Sequence, residues 1–160
     1  MENRLDNLVI ENAKIIFRNF SGTESRYNRA GDRNFYVVIE DEDEAKKLIE
    51  DGWNVRLKVP NDESRDPYYC MKVSVSYKYL PPKIYLVTKR KKILLDEDSI
   101  GNNLDKSTLL NVDIAIRPHE WEVNGKTGIK AYLKTMYATI EEDEFSDKYD
   151  DDNIPFDVYK

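Results

Sequence analysis

The sequence predicts a mainly β fold, a small closed or partly open barrel, on three observations. Apolar and polar residues alternate with a period of two through most of the first 140 residues, only one segment has clear helical spacing, and long polar connections separate the apolar runs. A chain of 160 residues suits a single compact domain.

Taken in order, Leu8 to Phe17 reads as a first strand and Asn34 to Ile39 as a second. The polar stretch between them holds Ser21-Gly22 and Ala30-Gly31, both turn signals. Asp41 to Asp51 is the helix: acids at its start suit the positive end of the helix dipole, Ala45, Leu48 and Ile49 share a face, and Gly52 ends it. Trp53 to Val59 is a further strand. Tyr69 to Tyr79 is a long one in which Met71, Val73, Val75, Tyr77 and Tyr79 alternate with Lys72, Ser74, Ser76 and Lys78. Pro81-Pro82 breaks the pattern, and Lys83 to Leu95 resumes it as a strand or a strand with a bent end. Leu104 to Leu110 is read as a helical turn and Val112 to Arg117 as a strand. Finally, Glu120 to Val123 and Gly128 to Ile140 flank Asn124-Gly125, a strong hairpin signal because both central residues of a type I′ turn need positive φ. In this size range the common barrel of this kind is the oligonucleotide-binding (OB) fold, a five-stranded Greek key, here with extra strands or hairpins and one short helix. A β-sandwich is the alternative that strand count leaves open.

Charge divides the chain. Overall it carries 25 basic and 31 acidic residues, a net charge of −6. Residues 141–160 hold nine of the acids (Glu141, Glu142, Asp143, Glu144, Asp147, Asp150, Asp151, Asp152 and Asp157) and only two bases, Lys148 and Lys160. Residues 1–140 are left with 23 bases and 22 acids, close to neutral. The expected organisation is therefore a domain over 1–140 and a disordered, solvated acidic C-terminal tail over 141–160.

Composition also excludes classes. A lone cysteine, Cys70, makes no intramolecular disulfide, and no apolar run approaches the ~20 residues that span a bilayer, so a cytoplasmic protein with no membrane association is expected. One His and one Cys cannot build a Cys/His zinc site. No phosphate-binding glycine loop or nucleophile elbow is present, and no cofactor or metal is implied. Asp96, Glu97 and Asp98 are the acids on which a metal-dependent nuclease would have to rely, although three acids in series after a strand are more often a solvated turn. His119, between Pro118 and Glu120, reads as a turn residue.

What remains is an interleaving of bases with aromatics: Arg18-Asn19-Phe20, Arg26-Tyr27 and Arg33-Asn34-Phe35-Tyr36. Single-stranded nucleic acid is bound by this pairing of residue types, because bases stack on aromatic faces while Arg and Lys track phosphates. Phe17, Phe20 and Phe35 are each assigned to the core. Arg18, Arg26 and Arg33 are candidate phosphate contacts, as are Lys83, Arg90, Lys91, Lys130 and Lys134. Tyr27, Tyr36, Tyr77, Tyr85 and Tyr132 are the candidate stacking residues, with Tyr79 another solvent-facing tyrosine. Trp53 and Trp121 are placed in the core. In the tail, Asp150-Asp151-Asp152 followed by Ile154, Pro155 and Phe156 combines steering charge with a small apolar anchor, a form suited to docking on a partner.

Two resemblances follow from these residues. Asp150-Asp151-Asp152-Asn153-Ile154-Pro155-Phe156 resembles the acidic tip of bacterial single-stranded DNA-binding proteins, with Asn153 inserted and four residues added after Phe156. Arg18 to Gly22, Tyr27-Asn28, Gly31 to Phe35, Asp51 to Val55, Arg117-Pro118, Trp121 to Lys126 and Gly128 to Leu133 resemble a family of bacteriophage single-stranded DNA-binding proteins. That resemblance implies an OB-fold with an acidic tail and a non-catalytic role in coating single-stranded DNA during replication, recombination and repair. The tail is expected to recruit replication and recombination proteins, and the sequence leaves room for a homo-oligomer. A phage structural or assembly protein built on a tyrosine-rich β-domain is the competing class.

Overall fold

The computed structural model describes residues 6–141. The predicted tail residues Asp150, Asp151, Asp152, Ile154, Pro155 and Phe156 lie outside the described residues. Nine strands and two helices follow in order: β1 (Leu8–Ile10), β2 (Lys14–Asn19), β3 (Arg33–Ile39), α1 (Glu42–Glu50), β4 (Val55–Lys58), β5 (Tyr68–Val75), β6 (Lys83–Val87), β7 (Lys92–Leu95), α2 (Ile100–Leu104), β8 (Leu109–Val123) and β9 (Lys126–Ile140).

The strands form one mixed sheet along the path β1-β8-β9-β5-β3-β2, with β4 added on β5 and the β6–β7 hairpin on β9. β9 is the hub. It pairs antiparallel with β8 and parallel with both β5 and β6. Among the described residues no continuous ladder joins the two ends of the path. Instead the chain itself bridges them, since β1 lies on β8 and β2 on β3, and the Ala13 N–H between them donates to the Val112 carbonyl at 2.7 Å. The expected first strand, Leu8 to Phe17, is therefore two strands on opposite edges, divided at Asn12, whose φ of 50° no regular strand accommodates.

Alternation sets the core. Phe35, Val37 and Ile39 of β3, Met71, Val73 and Val75 of β5, Ile114 and Ile116 of β8, and Ile129, Ala131, Leu133, Met136 and Ala138 of β9 all point inward and are buried. Helix α1 packs Ala45 and Leu48 against this core, with the Asp41 carboxylate accepting from the Asp43 and Glu44 amides at its N-terminus. Gly52, at φ 103°, lets the chain leave the helix for β4.

The hairpin matches its signal. Val123 pairs with Lys126, so Asn124 (φ 52°) and Gly125 (φ 81°) make a two-residue turn between strands of 15 residues each. Other segments differ from expectation, among them Val112 to Val123, which lies in one continuous strand where His119, expected in a turn, pairs with Lys130. The run Lys83 to Leu95 is a complete hairpin, with Thr88 N–H and the Lys91 carbonyl closing its turn at 2.8 Å. The expected single helix is joined by α2, which lies just before the predicted turn at 104–110; Leu109 and Leu110 instead begin β8. The strand read from Tyr69 stops at Val75, because Ser76 onward leaves the ladder and lines the cleft described below.

Helix α2 is tied to the β2 end by Asp105. Its carboxylate accepts from the Phe20 amide at 2.6 Å, the Ser21 amide at 3.2 Å and the Ser21 hydroxyl at 2.6 Å. Gly101 of α2 packs so closely that an added Cβ would lie 2.2 Å from Ser21 Oγ. Because hydrogen bonds to a charged group are each worth about 1.5–3 kcal/mol at most and these share one carboxylate, Asp105→Ala is expected to lower stability by about 2 kcal/mol in urea unfolding.

Candidate nucleic-acid interface

Burying one set of residues on each strand turns the other set toward solvent. On β3 this other set is Tyr36 and Val38 together with Asn34, which is itself buried and donates to Asn28; on β5 it includes Lys72 and Ser74; on β9, Lys130 and Tyr132. Register aligns them across the sheet. Tyr36 is opposite Lys72, Asn34 opposite Ser74, Ser74 opposite Tyr132, Tyr132 opposite Arg117, and Lys130 opposite His119. At this face a cleft of about 740 Å³ is lined by Arg33, Lys72, Lys78, Arg117 and Lys130 and by the aromatic faces of Tyr77, Tyr79 and Tyr132. Asp32 and Glu97 are its two acids. Cations and rings are interleaved at close range: Lys130 Nζ lies 5.1 Å from the Tyr132 ring centre and the Arg33 guanidinium 5.8 Å from that of Tyr77, with His119 edge-on to Tyr132 at 5.8 Å. Such a surface offers charge for phosphates and flat faces for bases.

Beyond Lys72 the same face continues to Phe17. The β2–β3 ladder slips between Ile16 and Asn19, and Phe17 within the bulge adopts a φ of 52°, a left-handed backbone that costs a bulky residue about 1–2 kcal/mol. The result is to aim its ring at solvent, 56% exposed. Tyr36 packs against it in a T-shaped contact at 5.7 Å, and Lys58 Nζ lies 5.5 Å from its centre. This corrects the assignment of all three early phenylalanines to the core. Phe20 and Phe35 are fully buried and stacked at 5.4 Å, whereas the bulge puts Phe17 out of phase with them.

Of the residues the sequence nominated, Arg33, Tyr77, Lys130 and Tyr132 meet in the cleft, and Tyr36 borders it beside Lys72. Lys134 lies two positions along β9 from Tyr132 and is exposed. The others are elsewhere. Arg18 donates to the Leu104 and Ser107 carbonyls at 2.9 and 2.8 Å, fastening the end of α2. Arg26 lies 5.8 Å from the Tyr27 ring centre on the β2–β3 loop, where Tyr27 is 87% exposed. Tyr85 stacks on Tyr137 at 4.8 Å with Lys92 near both rings, a second aromatic pair on the β6–β9 part of the sheet, where Lys83 starts β6. Arg90 and Lys91 sit in the β6–β7 turn.

Sequence reasoning missed Lys72, Lys78 and Arg117. The first two were visible as the outward members of an alternating strand; Arg117 needed the β8–β9 register to place it beside Tyr132. Of the tryptophans, Trp53 is buried as expected, but Trp121 is 40% exposed and lies over Gly128 in a depression flanked by Asp51, Glu120 and Glu122. The negative charge there is the wrong sign for phosphate. Asp96 accepts from the Ser99 amide at 2.9 Å, and among the described residues no three His, Cys, Asp or Glu side chains are grouped to hold a metal ion.

The contrast between neighbouring phenylalanines is measurable. Phe17→Asn, which tolerates the left-handed backbone, is expected to change unfolding free energy by no more than about 0.5 kcal/mol, whereas Phe20→Ala should cost about 3–5 kcal/mol in the same urea titration.

Solved structures share this architecture. A single-stranded DNA-binding protein from bacteriophage Enc34 in complex with ssDNA superposes with a TM-score of 0.56 at 10% identity, covering 87% of this chain and 89% of that one. Another structure of the same Enc34 protein gives 0.54 at 12% identity with 90% of each chain covered, and its C-terminal truncation gives 0.53 at 10% identity with 86% and 87% covered. At such identities the likeness is one of fold. No curated protein sequence matches the chain significantly. The family model described as "Putative phage ssDNA-binding domain" matches residues 1–158, nearly the whole chain, and the protein belongs to that phage single-stranded DNA-binding family.

Proposed function

We propose that this member of the phage family holds single-stranded DNA, without catalysis and with little regard to sequence, on the face that runs from Phe17 and Tyr36 through Lys72 to the Tyr77–Tyr132 cleft. The single observation that carries the reading is that cleft, where five cations and three tyrosines converge at a solvent-open sheet face. In this mode Arg33, Lys72, Lys78, Arg117 and Lys130 neutralise phosphates, and Phe17, Tyr77, Tyr79 and Tyr132 stack on bases. Readout by stacking and charge explains sequence tolerance, since every base has a ring face. Duplex DNA hides its bases, so a stacking surface discriminates against it. The role is protection of single strands during phage DNA replication, recombination and repair. The Enc34 protein solved with ssDNA, which has the same fold, supports this mode.

The acidic tail fits the same reading. Nine acids beside a near-neutral domain compete with phosphates for the basic cleft, and Phe156 with Ile154 and Pro155 supplies an anchor for replication or recombination partners.

Fluorescence titration of the Trp and Tyr signal with oligo-dT and with duplex DNA, at two salt concentrations, tests the first part. Binding should favour the single strand and weaken with salt, and Phe17→Asn and Tyr132→Ala should each weaken it by about 1–3 kcal/mol. Equal affinity for duplex, or indifference to both substitutions, refutes the proposal. For the tail, deletion of residues 141–160 should tighten DNA binding most at low salt, where charges are least screened. Phe156→Ala should instead leave DNA affinity unchanged and abolish capture of partner proteins; identical DNA affinities with and without the tail at every salt concentration would dismiss the competition.

A further inference from the structure

We infer that Arg33 and Tyr77 form a phosphate subsite in the wall of the cleft, and that Glu97 is its resident counter-charge, competing with a DNA phosphate for the same guanidinium. The inference rests on the reading that the cleft takes single-stranded DNA, and adds to it a named subsite and its regulation.

Arg33 begins β3 opposite Val75, where the β3–β5 ladder ends and the cleft opens. Glu97 reaches it from the turn before α2, placing one carboxylate oxygen 2.7 Å from Nη1. The pairing is incomplete. Arg33 Nε is buried and has no hydrogen-bond partner among the described residues, and the buried hydroxyl of Tyr77, whose ring lies beside the guanidinium, has none either. Buried unpaired donors are costly and rare in folded proteins, so two of them at one wall of an open cleft need an explanation. A guanidinium presents a planar fork that a group with two coplanar acceptors can engage through Nη and Nε together. Glu97 uses only one tine. A phosphodiester, with two non-bridging oxygens, can engage the Nη2–Nε edge that Glu97 leaves open, with lone pairs to spare for the Tyr77 hydroxyl. That hydroxyl remains a donor at physiological pH, because burial pushes its pKa up from the ordinary tyrosine value.

The competition is also resolved easily in favour of the phosphate. The Glu97 side chain is 47% exposed and the Arg33 side chain 22%, so the acid is the partner that can swing into water while the base stays in place. A half-exposed ion pair holds only weakly. Glu97 thus keeps the guanidinium neutralised in the free protein and yields it to an anion that offers more hydrogen bonds.

The double-mutant cycle of Glu97→Gln and Arg33→Gln, with Asp32→Asn as a charge-matched control at the same cleft, decides the matter by oligo-dT titration over a salt series. Glu97→Gln should tighten binding about 5-fold and steepen the log–log salt dependence by about 0.7, the contribution of one further neutralised phosphate on a single strand. Asp32→Asn should give less than half that gain, and the Glu97→Gln gain should vanish in the Arg33→Gln background. Tyr77→Phe, which removes only the hydroxyl, should weaken binding about 3-fold, and it serves as the second variant if Arg33→Gln unfolds. Equal gains from Glu97→Gln and Asp32→Asn, a gain that persists without Arg33, or an unchanged Tyr77→Phe overturns the subsite while leaving the cleft as the DNA site. Wild-type protein with no preference for oligo-dT overturns the cleft reading and the subsite with it.

Discussion

The structure depends on the strand alternation of β9. That strand is the partner of β8, β5 and β6 at once, so its register fixes the positions of most of the sheet. Ile129, Ala131 and Leu133 must face inward to bury their surface, and the pleat then leaves Lys130 and Tyr132 no option but the opposite side. A slip of one residue would exchange the two sets, placing lysines in the core. The tight Asn124-Gly125 turn prevents that slip by locking β8 to β9 at Val123 and Lys126. Hydrophobic burial therefore builds the face that carries Lys130 and Tyr132 as a by-product of building the core.

Deviations from regular alternation are where the face acquires its special features. At Phe17 the bulge spends backbone strain to bring out a ring that an unbroken strand would have placed in another phase. After Val75 the chain leaves the ladder, and Tyr77 and Tyr79 join the cleft wall from outside the sheet. Arg33 stands at the end of β3 where a ladder residue would be covered by the next pair. In each case a chemically useful side chain sits where pairing fails, so that regular strands supply rigidity and their ends supply the contacts.

Electrostatics is similarly divided between structure and function. Arg18 satisfies two carbonyls at the end of α2, and Asp105 returns the favour to the Phe20 and Ser21 amides. These charges hold the β2 end to α2 and are not available to a ligand as they stand. In the cleft, Lys130 lies against the Tyr132 ring, Arg33 against the Tyr77 ring and a single acid, and Arg117 makes one long contact to the Leu80 carbonyl at 3.4 Å, so these cations keep donors in reserve. Formal charge counts both kinds alike, which is why net charge alone is a poor guide to where a polyanion binds.

Much was legible in order. Period-two spacing announced the β class, the acid-led segment at 41–51 announced α1, and Asn-Gly announced the last hairpin, because each depends on local backbone chemistry that a few neighbouring residues decide. The charge split between residues 1–140 and 141–160 was equally plain in composition. The break at Asn12, the bulge at Phe17 and the separation of β6 from β7 were less so, since each reflects which distant edge the strand joins. Tertiary structure alone decided which cations meet: Arg18 finds carbonyls 86 and 89 residues away, Arg33 finds an acid 64 residues away, and Arg117 meets Tyr132 across the hairpin. Sequence determines what each strand turns outward; only the packing of strands far apart in the chain determines what those outward residues face.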